Sequence, residues 1–222
     1  MRLTIFNGSP KHGTNNNTSK MIESFKDGFL KQEGNMCDIY KLNEFNSMNE
    51  AVELYRKSEK FILAFPLYSY SMPGGTKRFI EALEPLCGDG MREIGFLVQY
   101  GFVEAIHARP LEEYLVKLVS TLGQEYLGTI IKGGCAGIVE DPEAKNNKKI
   151  LNGVYEIGEV FGKTGHLDTK LLNKFSKPEK QTVLSKIGMR FYAKLANKYY
   201  WSAELKKNGV LEDSFARPYE KV

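Results

Sequence analysis

The chain has 222 residues, 42% of them hydrophobic, enough for one large domain, or one domain with an extension, to bury its own core. Its 31 Lys and Arg against 27 Asp and Glu leave a formal charge of +4, spread too evenly for a nucleic-acid footprint. No window approaches the roughly 20 apolar residues of a membrane span, and Cys37, Cys87 and Cys135 are odd in number, far apart and without a CxxC pair. That cysteine pattern argues against zinc, a dithiol redox motif, a cysteine-clustered iron–sulfur site and a disulfide framework. Free thiols, and an opening MRLTIFNGSP with no signal-peptide segment, lead us to expect a cytoplasmic protein with neither membrane nor nucleic acid as partner.

Residues 2–6, RLTIF, are a short apolar run ended by Asn7-Gly8 and read as a buried first strand. From Thr18, the apolar positions Met21, Ile22, Phe25 and Phe29 recur at helical spacing, with Glu23, Lys26 and Asp27 on the opposite face. A second strand is expected over Asp38–Leu42 and a short helix over Ala51–Ser58. FILAF at 61–65 is almost wholly apolar, as in a central parallel strand covered on both faces. Pro73-Gly74-Gly75 then opens a helix carrying Phe79, Ile80 and Leu83 and ending near Pro85.

Ile94–Val98 is the fourth strand. A helix over roughly 107–122 follows, with Leu111, Leu115, Leu118 and Leu122 on one face. Glu125–Ile131 is the fifth strand and Asn147–Phe161 the fifth helix. Strand alternating with helix in this way predicts an α/β fold, a three-layer doubly wound five-stranded parallel sheet. The alternation covers 1–162; the stretch 163–222 leaves it. An aromatic-rich helix over Thr182–Tyr200 is expected there, in a C-terminal helical extension packed on the core or on a partner subunit. Cys87 and Cys135 are read as small core residues.

Ligands of open parallel sheets sit beyond the C-terminal ends of the strands, so the loops after strands one, three and four are the candidates. The first, NGSPKHGTNNNTS, is longer than the roughly two to six residues a plain connection needs. Ser9, Thr14, Thr18 and Ser19 supply hydroxyls, and Thr18 opens a helix whose free N–H groups favour phosphate. Asn17 or Thr18 capping that helix is the plainer role. GxxxxGK[ST] and GxGxxG are both absent, so a monophosphate held by hydroxyls and main chain fits better than a nucleotide triphosphate or a dinucleotide. The second loop, FPLYSYSMPGG, sets aromatic and thioether groups between two prolines and suits a flat heteroaromatic ring, or is simply a stiff surface loop. The third, QYGFVEAIHARP, adds Gln99, Tyr100, Gly101 and Phe102. His107 lies at a helix start, where a half-exposed histidine is common; His12 and His166 carry less weight still. Lys77 and Arg78 read as a solvated helix face, and Tyr199, Tyr200 and Trp201 as packing at a subunit contact.

GSP at 8–10 with NTSK at 17–20, together with PLYSYSMPGGTKRFIE at 66–81, resembles the NADPH-dependent FMN reductase and NAD(P)H:quinone reductase branch of the flavodoxin-like flavoproteins, over about residues 1–160. The resemblance implies a flavodoxin-like fold holding FMN without a covalent bond. On the matched motifs, Ser9, Lys11, Asn17, Thr18 and Ser19 would hold the ribityl phosphate. Pro66, Leu67, Tyr68, Ser69, Ser71, Met72, Pro73 and Gly74 would border the isoalloxazine, and Gln99, Tyr100, Gly101 and Phe102 would close its other side. The first loop is longer than the family's usual form, leaving His12, Thr14, Asn15 and Asn16 without a role. The compact cysteine motif of the related iron–sulfur flavoproteins is absent. The implied activity is an oxidoreductase passing hydride from NADPH or NADH to FMN and on to a quinone-like, nitro, azo or other small acceptor. No metal and no catalytic side chain is expected, and a homodimer or higher homo-oligomer is. A flavodoxin-like electron carrier without NAD(P)H turnover is the alternative, against which stand the basic balance and the extension.

Overall fold

The computed structural model describes residues 1–217 and Glu220, excepting the side chains of Val183–Lys186 and Met189. Five strands, β1 (Arg2–Asn7), β2 (Met36–Lys41), β3 (Lys60–Pro66), β4 (Glu93–Gln99) and β5 (Glu125–Lys132), form one wholly parallel sheet in the order β2-β1-β3-β4-β5. The doubly wound parallel sheet expected from the alternating pattern is the architecture found.

Period-two alternation sends the two sides of each strand into two separate cores. In β3, Phe61, Leu63 and Phe65 join one core while Ile62 and Ala64 join the other. The first core is filled by α2 (Met48–Arg56), α3 (Gly74–Glu81) and α4 (Arg109–Thr121). It centres on Phe6, whose ring lies 4.9 Å from Phe61 at 74° and 5.2 Å from Phe79. Such aromatic pairs add about 0.5–1.5 kcal/mol beyond their buried area. The second core lies under α1 (Asn17–Phe29) and α5 (Lys145–Thr164), with Met21, Phe25, Phe29, Val154 and Phe161 against Leu3 and Ile5.

Three local readings shift. The helix expected from 107 begins as a 3-10 turn over Ala105–Ala108, and α4 proper starts at Arg109 because Pro110, with its fixed φ, suits a first helical turn. Helix α5 is longer at both ends than expected and stops at Gly165, which takes φ 75°. Helix α6 (Thr169–Ser176) is additional: Asp168 caps it by accepting from Leu171 N at 2.7 Å, and it packs on β5. Cys135 is buried as expected, whereas Cys87 is exposed, because it follows the 3-10 turn Glu84–Leu86 on the surface.

The chain divides into a compact unit Met1–Lys180 and a second unit Gln181–Val222. In the second, α7 (Val183–Ala196) leads through a π-helical turn at Asn197–Trp201 into α8 (Ser202–Lys207) and a 3-10 turn at Glu212–Phe215. Phe191, Tyr192, Tyr199, Tyr200 and Trp201 are exposed.

Helices α1 and α5 meet through backbone. A Cβ on Gly28 would overlap Tyr155 O, and one on Gly158 would overlap Phe25 O. Alanine at 158 would add about 1 kcal/mol of helix propensity, but overpacking a backbone contact costs about 1–3 kcal/mol. Gly158→Ala should therefore lower the midpoint of thermal unfolding, measured by circular dichroism. An unchanged or raised midpoint would show that the two helices can separate freely.

Candidate functional site

Strand β1 lies between β2 and β3, so the strands are added first to one side of it and then to the other. The following helices take opposite faces of the sheet, α1 on the second core and α3 on the first. The loops leaving β1 and β3 therefore diverge, and the crevice they leave is closed by the loop after β4. A cavity of about 500 Å³ occupies it, within the size range of small-molecule sites.

The β1 loop is anchored at both ends. Gly8 N donates to Ala64 O at 2.7 Å and Gly8 O accepts from Thr76 Oγ1 at 3.0 Å, an approach so close that a Cβ on Gly8 would overlap the Thr76 hydroxyl. Ser9 N donates to Asn7 Oδ1 at 2.9 Å. At the far end Asn16 caps α1, its Oδ1 accepting from Ser19 N at 2.9 Å while its Nδ2 donates to Gly13 O at 3.0 Å. Among the described residues no protein acceptor meets the N–H groups of Asn17 and Thr18. These two orphan donors stand at the positive end of the helix dipole. The Thr18 hydroxyl accepts from Gln99 Nε2 at 3.1 Å, leaving its own proton to donate.

The β3 loop is a tight hairpin. Tyr68 and Ser71 exchange both backbone hydrogen bonds at 2.9 Å, and the two residues between them, Ser69 and Tyr70, take φ of 48° and 63°. That is the shape of a type I′ turn, which favours Asn-Gly; a Ser-Tyr pair holds it under strain. The Tyr68 and Tyr70 rings are exposed at the rim. The rings of Tyr70 and Phe102 lie 5.6 and 5.0 Å from the His107 imidazole.

The β4 loop is held from β5. Tyr100 N donates to Lys132 O at 3.2 Å, Gly134 N to Phe102 O at 2.8 Å, and Tyr100 Oη to Glu104 O at 2.9 Å. Burial raises the Tyr100 phenol well above its ordinary value, so it stays protonated. Burial likewise pushes the neighbouring Cys135 thiol up to about 12, consistent with a packing role.

Of the residues singled out from sequence, Ser9, Lys11, Asn17, Thr18, Pro66, Leu67, Tyr68, Ser69, Gln99, Tyr100, Gly101 and Phe102 all line this one cavity. Ser19, Ser71, Met72, Pro73 and Gly74 stand outside the lining. The Ser19 hydroxyl is turned inward to accept from Asn7 Nδ2 at 2.9 Å, Met72 packs on the first core, and Pro73 and Gly74 begin α3. The Asn17 side chain is committed to the β5 loop, donating to Cys135 O at 2.8 Å and accepting from Val139 N at 3.2 Å. Asn16, Tyr70, His107 and Ala136 complete the wall. The cap of α1 is Asn16, not Asn17 or Thr18 as expected from sequence, because the helix begins one residue earlier, at Asn17, and it is the Asn16 side-chain carbonyl oxygen that reaches Ser19 N; nothing local marks Ala136. Among the described residues, Lys11 is the one fully cationic lining residue, and no Asp or Glu lines the cavity.

Comparison with solved structures agrees with the topology. An FMN-dependent NADH-azoreductase from Bacillus anthracis, solved in complex with FMN, superposes with a TM-score of 0.56 at 14% identity, covering 73% of this chain and 98% of that one. Flavodoxin from Megasphaera elsdenii gives 0.50 at 18% identity, over 74% and 100%. This chain has the flavodoxin-like fold. The flavodoxin-like core also matches an NADH:FMN oxidoreductase in its apo form, with a TM-score of 0.54 at 17% identity over 80% of this chain and 96% of that one. No protein-family model and no curated protein sequence matches the chain.

Ser69→Gly removes one left-handed Cβ, worth about 1–2 kcal/mol, against a backbone-entropy cost of about 0.5–1 kcal/mol. The substitution should raise the unfolding free energy by several tenths of a kcal/mol to 1 kcal/mol in urea titration. A loss of stability would mean that the hairpin is not strained.

Proposed function

We propose that the chain is an FMN-dependent NAD(P)H oxidoreductase that transfers reducing equivalents to a small quinone-like, nitro or azo acceptor. One observation carries this reading. A single acid-free cavity joins a helix N-terminus with unpaired donors at one end to an aromatic rim at the other, at the C-terminal edge of β1, β3 and β4. The named activities of the azoreductase and the NADH:FMN oxidoreductase that share the fold support the same class.

The residues present fit FMN. Its phosphate dianion matches the N–H groups of Asn17 and Thr18, the Ser9 and Thr18 hydroxyls and the Lys11 ammonium, with no lining carboxylate to repel it. A flat ring system matches Pro66, Tyr68, Tyr70 and Phe102, and the Ser69 and Gly101 N–H groups, which meet no protein acceptor among the described residues, offer fixed donors to its polar edge. When bound, FMN would supply the hydride-accepting and electron-passing chemistry.

The protein's part is orientation and exclusion of water. Gln99 binds Thr18 and, through its carbonyl, Leu67 N at 2.9 Å, so the β1, β3 and β4 loops are tied to one residue. Rigid donors facing the ring edge stabilise negative charge that develops there without reorganising. The exposed Tyr68, Tyr70 and Phe102 rings give a nicotinamide or an aromatic acceptor a surface to stack on. His107, 3.7 Å from a Glu104 carboxylate oxygen, orders the rim. The exposed aromatic side chains of the second unit suit a homo-oligomer contact.

Purified protein mixed with FMN should show a bound-flavin visible spectrum, and anaerobic NADPH or NADH should bleach it. Protein that binds no FMN overturns the reading, and a flavin that binds but stays oxidised with both donors favours an electron carrier. Thr18→Val deletes a phosphate donor and leaves Gln99 Nε2 unpaired, so FMN affinity should fall by the equivalent of about 1–3 kcal/mol. Unchanged affinity by fluorescence titration would place the phosphate elsewhere.

A further inference from the structure

A second cavity, of about 760 Å³, lies at the C-terminal end of β5 between the N-terminal half of α5 and the end of α6. Six lysines line it: Lys132, Lys145, Lys148, Lys149, Lys174 and Lys177. Glu156 is the one carboxylate among the lining residues. With Glu143, which pairs with Lys148, also counted, an excess of four positive charges remains at the cavity, as large as the +4 of the whole chain. Lysines 132 to 177 are scattered in sequence, and the fold gathers them around one concavity.

Their pairing is incomplete. Lys148 meets Glu143 at 2.7 Å, and Lys132 donates to Phe175 O at 2.8 Å and Lys177 O at 3.0 Å. Among the described residues, Lys145, Lys149, Lys174 and Lys177 have no carboxylate within ion-pair distance. Burial lowers the basicity of Lys132, against a smaller opposing effect of Cys135. Helix α5 compounds this. Its first turn holds no acid, its N-cap residue Ala144 offers no side-chain acceptor, and lysines stand where the helix dipole disfavours cations. A concavity lined by like charges on low-dielectric walls focuses its field on an anion. The floor is apolar, made by Phe175, Ile150 and Leu171.

We infer that this cavity binds the multi-phosphate group of a small molecule, with the apolar floor available to a base or ring attached to it. The arrangement is unfavourable when empty and complementary when filled by several negative charges. An inorganic polyphosphate and a nucleotide share that group, and the floor distinguishes them. The inference stands apart from the flavin reading, since no residue lines both cavities.

The test is isothermal titration calorimetry of the full chain with ADP, pyrophosphate and orthophosphate. ADP or pyrophosphate should bind below about 1 mM at about 50 mM salt, orthophosphate more weakly, and affinity should fall as salt screens the lysines. Tighter binding of ADP than of pyrophosphate identifies a nucleotide on the Phe175 floor, and equal binding a polyphosphate. The double variant Lys145→Glu, Lys149→Glu should weaken binding at least about tenfold. The same variant should raise the midpoint of unfolding of the ligand-free chain by about 1–3 °C, because it removes repulsion and places an acid at the helix N-terminus. Lys117→Glu, on the exposed side of α4, should change neither. No binding of ADP or pyrophosphate at 1 mM overturns the proposal, as does equal loss in Lys117→Glu or undiminished binding in the double variant. The bound-flavin spectrum is a separate readout, so failure here leaves the proposed activity to be judged on its own.

Discussion

The rest of the structure depends on β1 lying between two neighbours while α1 and α3 cover opposite faces of the sheet. Parallel strands buried on both faces expose nothing but their ends, so a ligand can approach only at an edge. At the C-terminal edge the loops after β1 and β3 must part company, because each leads to a helix on a different side. The first cavity is the space left by that divergence. Its position follows from topology, and its chemistry from the residues in the loops.

Gln99 links these levels. It ends β4, its carbonyl receives Leu67 N from the β3 loop, and its side chain reaches Thr18 at the start of α1. The α1–α5 contact, close enough to need Gly28 and Gly158, fixes α1 along its length. The N–H groups of Asn17 and Thr18 are thereby aimed by packing that extends through the helix behind them. On the other wall, the left-handed Ser69 and Tyr70 carry strain that the remaining structure stabilises, as is common where side chains must be presented in one orientation.

Charge is organised on the same plan. The first cavity has Lys11 and helix dipole but no carboxylate, and the second has lysines in excess. Both lie at C-terminal strand ends, where helix N-termini already point positive. They are divided by a backbone wall. Gly133 packs so closely on Phe102 O that a Cβ there would overlap it, and the Gly134 N–H bonds the same carbonyl.

Strong local signals settled much of this molecule from sequence. Apolar runs such as FILAF, the helical spacing from Met21 to Phe29 and the Pro-Gly-Gly that opens α3 specify which element forms where, because burial on one face or two leaves a short-range period. The overlong first loop and the Pro-bounded second loop marked the site for the same reason, as departures from what a connection needs. Contacts distant in the chain leave no such trace. The inward turn of Ser19, the commitment of Asn17 to Cys135 and Val139, and the arrival of Ala136 at the wall are decided by which loops the sheet order brings together. Helix α6 rests on its Asp168 cap and on packing against β5. The lysines from 132 to 177 read as an unremarkable solvated excess along the chain. Only the close approach of β5, α5 and α6 turns them into one cavity, since electrostatic potential depends on distance in space and not on distance in sequence.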